Sequence, residues 1–303
     1  LPVFDSPTGM PYMYVNLKTG KTSGAESNPA EIGTLILEFG TLSKLTNNPV
    51  YYDKAKRALV EVYKRRGKTG LVGEGINVET GAWTNTHTHI GGAIDSFYEY
   101  LLKCEKLFGD KECGDMWRDS VGNINRVLAD QTASGLWYGV ADMNTGQRTS
   151  TTYGSLEAFL PAVLAMGGDV DRARKLQESG FTMWTANGIE PEEFDYAQMK
   201  ATRPAYQLRP EIIESAYYLS HYTKDKRFVE MGQQMVADLK QHCRTDAGYT
   251  VLKSVVSKEK GDLMHSFFLA ETLKYAYLLL QPDAIEFERV VFNTEAHPLR
   301  RTW

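Results

Sequence analysis

The chain has 303 residues, 42% of them hydrophobic, which is enough to bury a core as one large domain or two ordinary ones. A net charge of −4 with no block or stripe of Lys and Arg argues against nucleic acid and anionic membranes as partners. No apolar run reaches the roughly 18 residues of a membrane span, and the opening "LPVFDSPTGMPY" lacks the basic-then-apolar order of a signal peptide.

In chain order, four segments share one plan: residues 30–66 ("AEIGTLILEFG…"), 93–130 ("AIDSFYEYLLK…"), 155–186 ("SLEAFLPAVLAM…") and 209–242 ("RPEIIESAYYL…"). Each reads as a helical hairpin: a first helix apolar nearly all round, a short polar turn, then an amphipathic helix with its charges on one face. The first helices start near Glu31, Asp95, Ser155 and Glu211, and "DLMHSFFLAETLKYAYLLL" (262–280) supplies a fifth inner helix. Buried inner helices covered by amphipathic outer ones predict an all-α superhelix or closed α/α toroid. The connections "GLVGEGINVETGAWT" and "GLWYGVADMNTGQRTST" read as short β-hairpins capping one end.

Cys104, Cys113 and Cys243 form no CxxC pattern, so a structural zinc site is not indicated. Cys104, within "YLLKCEKLF", reads as a buried small hydrophobe; Cys113 and Cys243 are left as a pair only if the fold brings them together. The alternating His87 and His89 of "NTHTHIGG" have no third ligand nearby and read as a strand in a loop.

The carboxylates carry more information. Asp95 and Glu99, Glu157, Glu211 and Glu214, and Glu271 all fall in the first turns of inner, apolar helices. An acid at one helix N-terminus merely complements the macrodipole. Repetition in four inner helices, with Glu99, Glu214 and Glu271 in apolar surroundings, calls for compensation, because an unpaired buried carboxylate is costly. A hard cation with oxygen ligands, Ca²⁺ rather than zinc or copper, would compensate; so would a polyhydroxylated substrate. Paired carboxylates across a cleft are also the machinery of glycoside hydrolysis.

At "IDSFYEYLLK" (94–103), "LRPEIIES" (208–215), "SFFLAETLKY" (266–275) and "VFNTEAHP" (291–298), in this order and spacing, the chain resembles glycoside hydrolase family 47, the class I α-1,2-mannosidases. The segments "GTLILEFGTLSKLT" and "GLVGEGINVETG" look most similar to bacterial members and to the branch that promotes ER-associated degradation. The resemblance implies an (α/α)₇ barrel, cleavage of terminal α-1,2-linked mannose from high-mannose N-glycans with inversion, and a Ca²⁺ at the barrel floor. It gives Thr294 the metal-ligand role, through hydroxyl and carbonyl, with Glu211, Glu214, Glu271 and Glu295 orienting the water around the ion. It also makes Glu211 the general base and Asp95 an acid assisting proton delivery. Arg209 and Phe267 become sugar contacts, the latter by stacking, and Glu99, Glu214, Glu271 and Glu295 complete the substrate-binding set.

Departures qualify the resemblance. A family arginine is Ala93 here, a family glutamate is His265, and the start of the third inner helix reads Gly154-Ser155. Five inner helices stand where the family has seven. The chain therefore resembles the C-terminal two-thirds of a family member, a single α/α-barrel catalytic domain lacking the first hairpins, which carry the Glu that protonates the leaving oxygen. That segment is expected as a separate chain or fragment packed against the apolar inner helices. The function read from the sequence is a Ca²⁺-dependent inverting α-1,2-mannosidase acting on high-mannose oligosaccharides or glycoproteins. The alternative is a catalytically impaired, lectin-like binder using the same site. The resemblance places it in the secretory-pathway lumen, or the periplasm or exterior of a bacterium.

Overall fold

The computed structural model describes residues 1–301. The fold is mainly helical, with short antiparallel strand hairpins and no closed sheet barrel among the described residues. No described helix is long and apolar enough to cross a membrane. The chain divides into two compact units: residues 1–129, 140–150 and 287 onward form unit 1, and residues 130–139 and 151–286 form unit 2.

Unit 1 contains α1 (Pro29–Gly33), α2 (Ile36–Thr46), α3 (Val50–Lys64), α4 (Asp95–Phe108) and α5 (Lys111–Val127). The predicted first inner helix is thus split, with Thr34 and Leu35 between its two parts. Both parts press on α4: a Cβ on Gly33 would stand 2.7 Å from a ring carbon of Phe97, and one on Gly40 2.4 Å from Phe108. Glycine is what allows that approach. The predicted all-round burial of the second inner helix is observed, with Ser96 through Cys104 and Leu107 buried in α4. The helix ends where Gly109 adopts φ +70°, a conformation cheap only for glycine. Asp110 then caps α5, accepting from the Cys113 amide at 3.0 Å.

This tight turn corrects the cysteine reading. Because α4 and α5 fold back on each other across Gly109-Asp110, Cys104 and Cys113 meet, with Cα atoms 6.0 Å apart, and form a disulfide. Cys243 is free and buried, and burial pushes its thiol up to about 12. The histidines behave as a strand should: His87–Thr88 pairs with Val140–Asp142, and His87 and His89 lie 4.0 and 3.8 Å from Glu74.

Unit 2 contains α6 (Leu160–Met166), α7 (Val170–Ala186), α8 (Glu211–Thr223), α9 (Lys226–His242) and α10 (Leu273–Leu280). The third inner helix opens as a 3₁₀ turn over Leu156–Phe159, since Pro161 has no N–H for an α-type bond back to residue 157. Inner α8 packs against α6, α7, α9 and α10, and Ile212 through Leu219 are buried. Asp169 and Asp225 cap the outer helices α7 and α9. The fifth inner helix is shorter than expected. Leu263 accepts from the Val251 amide and donates its own amide to the Thr250 hydroxyl, so "DLMH" stays outside, and a π-helical turn (Phe268–Thr272) precedes α10.

Candidate functional site

In unit 1 the segment "VFNTEAHP" is a hairpin loop. Val290–Phe292 pairs antiparallel with Pro298–Arg300, and Asn293 organises the loop between them. Its side-chain oxygen accepts from the amides of Glu295 (3.0 Å) and His297 (2.7 Å), the short-range bonding that makes Asn a turn residue. Its Nδ2 donates to Glu38 of α2 at 2.9 Å. The same Glu38 oxygen accepts from the Tyr100 hydroxyl of α4 at 2.9 Å, and Tyr100 in turn accepts from the Thr294 amide at 3.1 Å. Thr294 is therefore fixed by its N–H to α4, and the neighbouring Asn293 ties the loop to α2. Among the described residues its hydroxyl and carbonyl make no hydrogen bond, leaving two neutral oxygens for a ligand. Burial holds the Tyr100 phenol well above its ordinary value, with Glu38 and Glu99 adding to it, so it serves as a neutral donor.

Asp95 is the first residue of α4, half-buried, with Oδ1 accepting from Ser96. Glu99 is only 4% exposed and its compensation is internal: it forms a buried ion pair with Lys103, one turn along α4. Glu295 is exposed and lies 3.9 Å from His297.

Unit 2 gathers the other predicted residues. Glu211 is the first residue of α8, and its Oε2 is buried with no hydrogen-bond partner. Desolvation raises its pKa well above the ordinary value; Arg209 opposes that rise, and Glu271 and Glu214 add to it. Arg209 is held by a two-point ion pair with Glu192, at 3.1 and 2.9 Å. Its guanidinium carbon also lies 5.5 Å from the centre of the Phe267 ring. His265 stacks on Phe267 at 4.7 Å and contacts Gln207 Oε1 at 3.0 Å. Glu214 accepts from Tyr275 at 3.0 Å. Glu271 sits within the π-helical turn, a local widening that recurs at functional sites. The turn is tied by Thr272, whose hydroxyl donates to the carbonyl of Leu208 at 2.7 Å. Leu208 itself has φ +64°, a strained conformation for a branched side chain.

Several residues escaped the sequence reading. Glu190 and Glu192, from "GIEPEE" after α7, are 0% and 6% exposed; Glu38, Tyr100 and Lys103 do the holding in unit 1. Two acids around a proline in an otherwise polar connection have no periodicity to mark them as buried.

The family model for Glycosyl hydrolase family 47 matches residues 1–301. The chain belongs to this family. It is 39% identical over 311 residues to Alpha-mannosidase I MNS4 of Arabidopsis thaliana, covering 99% of this chain and 49% of that protein. It is 36% identical over 323 residues to the human ER degradation-enhancing alpha-mannosidase-like protein 2, covering 99% and 55%. The chain thus spans about half the length of the curated relatives it matches. Among solved structures, the α-1,2-mannosidase from Trichoderma reesei superposes with a TM-score of 0.90 at 29% identity, over 99% of this chain and 71% of that one. The family 47 fold of helical hairpins predicted from the repeats is therefore present.

Proposed function

We propose that this family 47 chain carries the sugar-cleaving machinery of a Ca²⁺-dependent, inverting α-1,2-mannosidase acting on high-mannose N-glycan-type oligosaccharides. The observation that carries this reading is Glu211. Its carboxylate is placed at the start of a buried helix, one oxygen is sealed without a partner, and an arginine two residues away is locked in place by Glu192. A desolvated carboxylate with raised proton affinity suits a general base. In this reading Glu211 takes a proton from the attacking water as the bond from the anomeric carbon to the leaving oxygen breaks. Asp95 assists delivery of a proton to that oxygen. Arg209 orders the sugar while stabilising ionised Glu211, and Phe267 offers an aromatic face to its C–H side.

The donor set fits a hard cation: Thr294 offers a hydroxyl and a carbonyl oxygen, both uncommitted, on a loop pinned from behind. Bound there, Ca²⁺ would supply Lewis-acid polarisation of water and sugar hydroxyls. The one cluster of conventional ligands among the described residues, Cys104, Asp110 and Cys113, consists of two oxidised sulfurs and a helix cap, not a metal centre. Proton NMR of freshly released mannose tests the proposal: the β anomer should appear first, and initial α-mannose would reject inversion.

One observation favours the lectin-like alternative. His265, parallel to Phe267 within 10°, occupies one face of the ring proposed to stack on sugar. Ca²⁺-dependent glycan binding without release of mannose would establish that reading instead.

A further inference from the structure

Both carboxyl oxygens of Glu190, Oε2 of Glu211, the hydroxyl of Tyr153 and Oγ of Ser155 are buried in unit 2 without a hydrogen-bond partner. They belong to one neighbourhood. Ser155 donates its amide to the carbonyl of Glu192 at 3.2 Å, and Tyr153 pairs with Phe194 on the strand that follows Glu192. Glu190 is close enough to Glu211 to feel its charge, and Tyr153 and Tyr206 both feel Glu190.

The charges facing Glu190 can be assigned element by element. Glu192, two residues on, is neutralised by Arg209, which precedes α8; Arg203, on the adjoining strand, lies 3.2 Å from Glu193 and 3.8 Å from Glu192. Tyr153 comes from the strand before α6, Tyr206 from the segment leading to α8, and Glu211 from α8 itself. No cation is committed to Glu190. An ionised carboxylate at 0% exposure with no hydrogen bond is too costly to persist, and two like charges in one enclosed site do not both ionise. Burial, then repulsion from Glu211 and Glu192, pushes its proton affinity well up, against the pull of Arg209. Arg209 acts on both acids, but for Glu211 it is the chief counterweight to burial and a backbone N–H adds to it, whereas for Glu190 it comes after the repulsion of two carboxylates and no hydrogen bond helps, so the proton goes to Glu190.

We propose that Glu190 is a positioning residue for Glu211: a neutral carboxylic acid whose O–H, through internal water shared with Tyr153 and Ser155, is donated toward the sealed oxygen of Glu211 and keeps that residue ionised. Internal water of this kind needs about two to four polar neighbours, which these side chains supply. The role rests on Glu211 acting as the base, but its test does not require turnover.

Infrared difference spectra of the folded chain at neutral pH should show the C=O stretch of a protonated carboxylic acid that is lost in Glu190→Gln. If the band is absent, or survives that substitution, Glu190 is not a neutral acid and the proposal fails. The carboxylate signal of Glu211, assigned by its loss in Glu211→Gln, is then titrated in each background. Glu190→Gln, which keeps an N–H donor, should leave its midpoint near that of the wild type. Glu190→Leu, which has no donor, should raise the midpoint by about one pH unit or more; Glu190→Ala is the second variant if the leucine does not fold. Equal midpoints in the Gln and the Leu or Ala backgrounds would overturn the positioning role, whatever the chain does to mannose.

Discussion

Glu99 was assigned to substrate by resemblance, yet the structure pairs it with Lys103 inside α4, with side chains 6% and 1% exposed. These assignments predict different things. Lys103→Met keeps most of the side-chain volume but leaves Glu99 buried without its cation. Breaking a buried pair by removing one partner typically costs about 3–5 kcal/mol, whereas replacing both with apolar groups is often close to neutral. A domain the size of unit 1 shifts its melting temperature by about 2–4 °C per kcal/mol, so Lys103→Met should lower Tm by roughly 6–20 °C. Glu99→Met/Lys103→Met should recover most of that loss. Thermal and urea unfolding of the two singles and the double form a complete cycle, and the coupling should be about 3 kcal/mol. A double variant that loses as much as the two singles combined would refute the compensated-pair argument. Glycan binding by the double variant then decides the functional role: unchanged affinity makes Glu99 structural, and a loss with stability retained makes it a sugar contact.

Chelation should lower Tm and glycan affinity, with Ca²⁺ restoring both better than Mg²⁺, because large irregular oxygen sites suit the larger ion and a ligand bound only to the native state stabilises it; calorimetry with each ion checks this. Glu211→Gln should reduce kcat about 10²–10⁴-fold with glycan affinity retained, measured by mannose release and by titration calorimetry. Cys104→Ala/Cys113→Ala, which opens a short loop, should cost about 2–3 kcal/mol in urea unfolding. Glu190 has a folded-state pKa raised above its unfolded value of about 4.3, so the native chain keeps a proton that the unfolded chain releases. Its stability contribution is complete below that value and is lost as pH rises toward the folded pKa, by up to about 1.4 kcal/mol per pH unit. Glu190→Gln should therefore gain on the wild type between about pH 5 and 7; a constant difference over that range would refute the assignment.

Much of this was legible in the sequence because periodicity is a direct record of burial. The apolar run of α4 and the alternation of charge along α5 specify an inner and an outer helix before any contact is known, and "FGDKE" between them specifies the turn. Breaks inside helices were less legible. Nothing in "DLMHSFFLAETL" shows that Leu263 will bond to Thr250, and the π-helical turn at Glu271 is an accommodation to packing rather than a preference of "FLAET". The disulfide was missed for a similar reason. Spacing of nine residues looks too short to bridge two helices until Gly109 turns the chain back on itself.

The acids divide along the same line. A carboxylate in the first turn of an apolar helix is visible because its neighbours are periodic, and Asp95, Glu211 and Glu214 were found that way. Whether such an acid is available to a substrate depends on partners that the pattern does not contain. Lys103 satisfies Glu99 from the same helix, four residues on, an i,i+4 spacing present in the sequence although lysine is rarely fully buried unless paired. Tyr275 satisfies one oxygen of Glu214 from α10, at a distance only the fold sets. Glu190 has no such partner and no periodic neighbours, so its importance rests on absent hydrogen bonds inside a sealed space, a property of three-dimensional packing alone. Thr294 shows the converse: its amide is secured to Tyr100 while its two oxygens stay uncommitted, which is the arrangement a ligand residue requires.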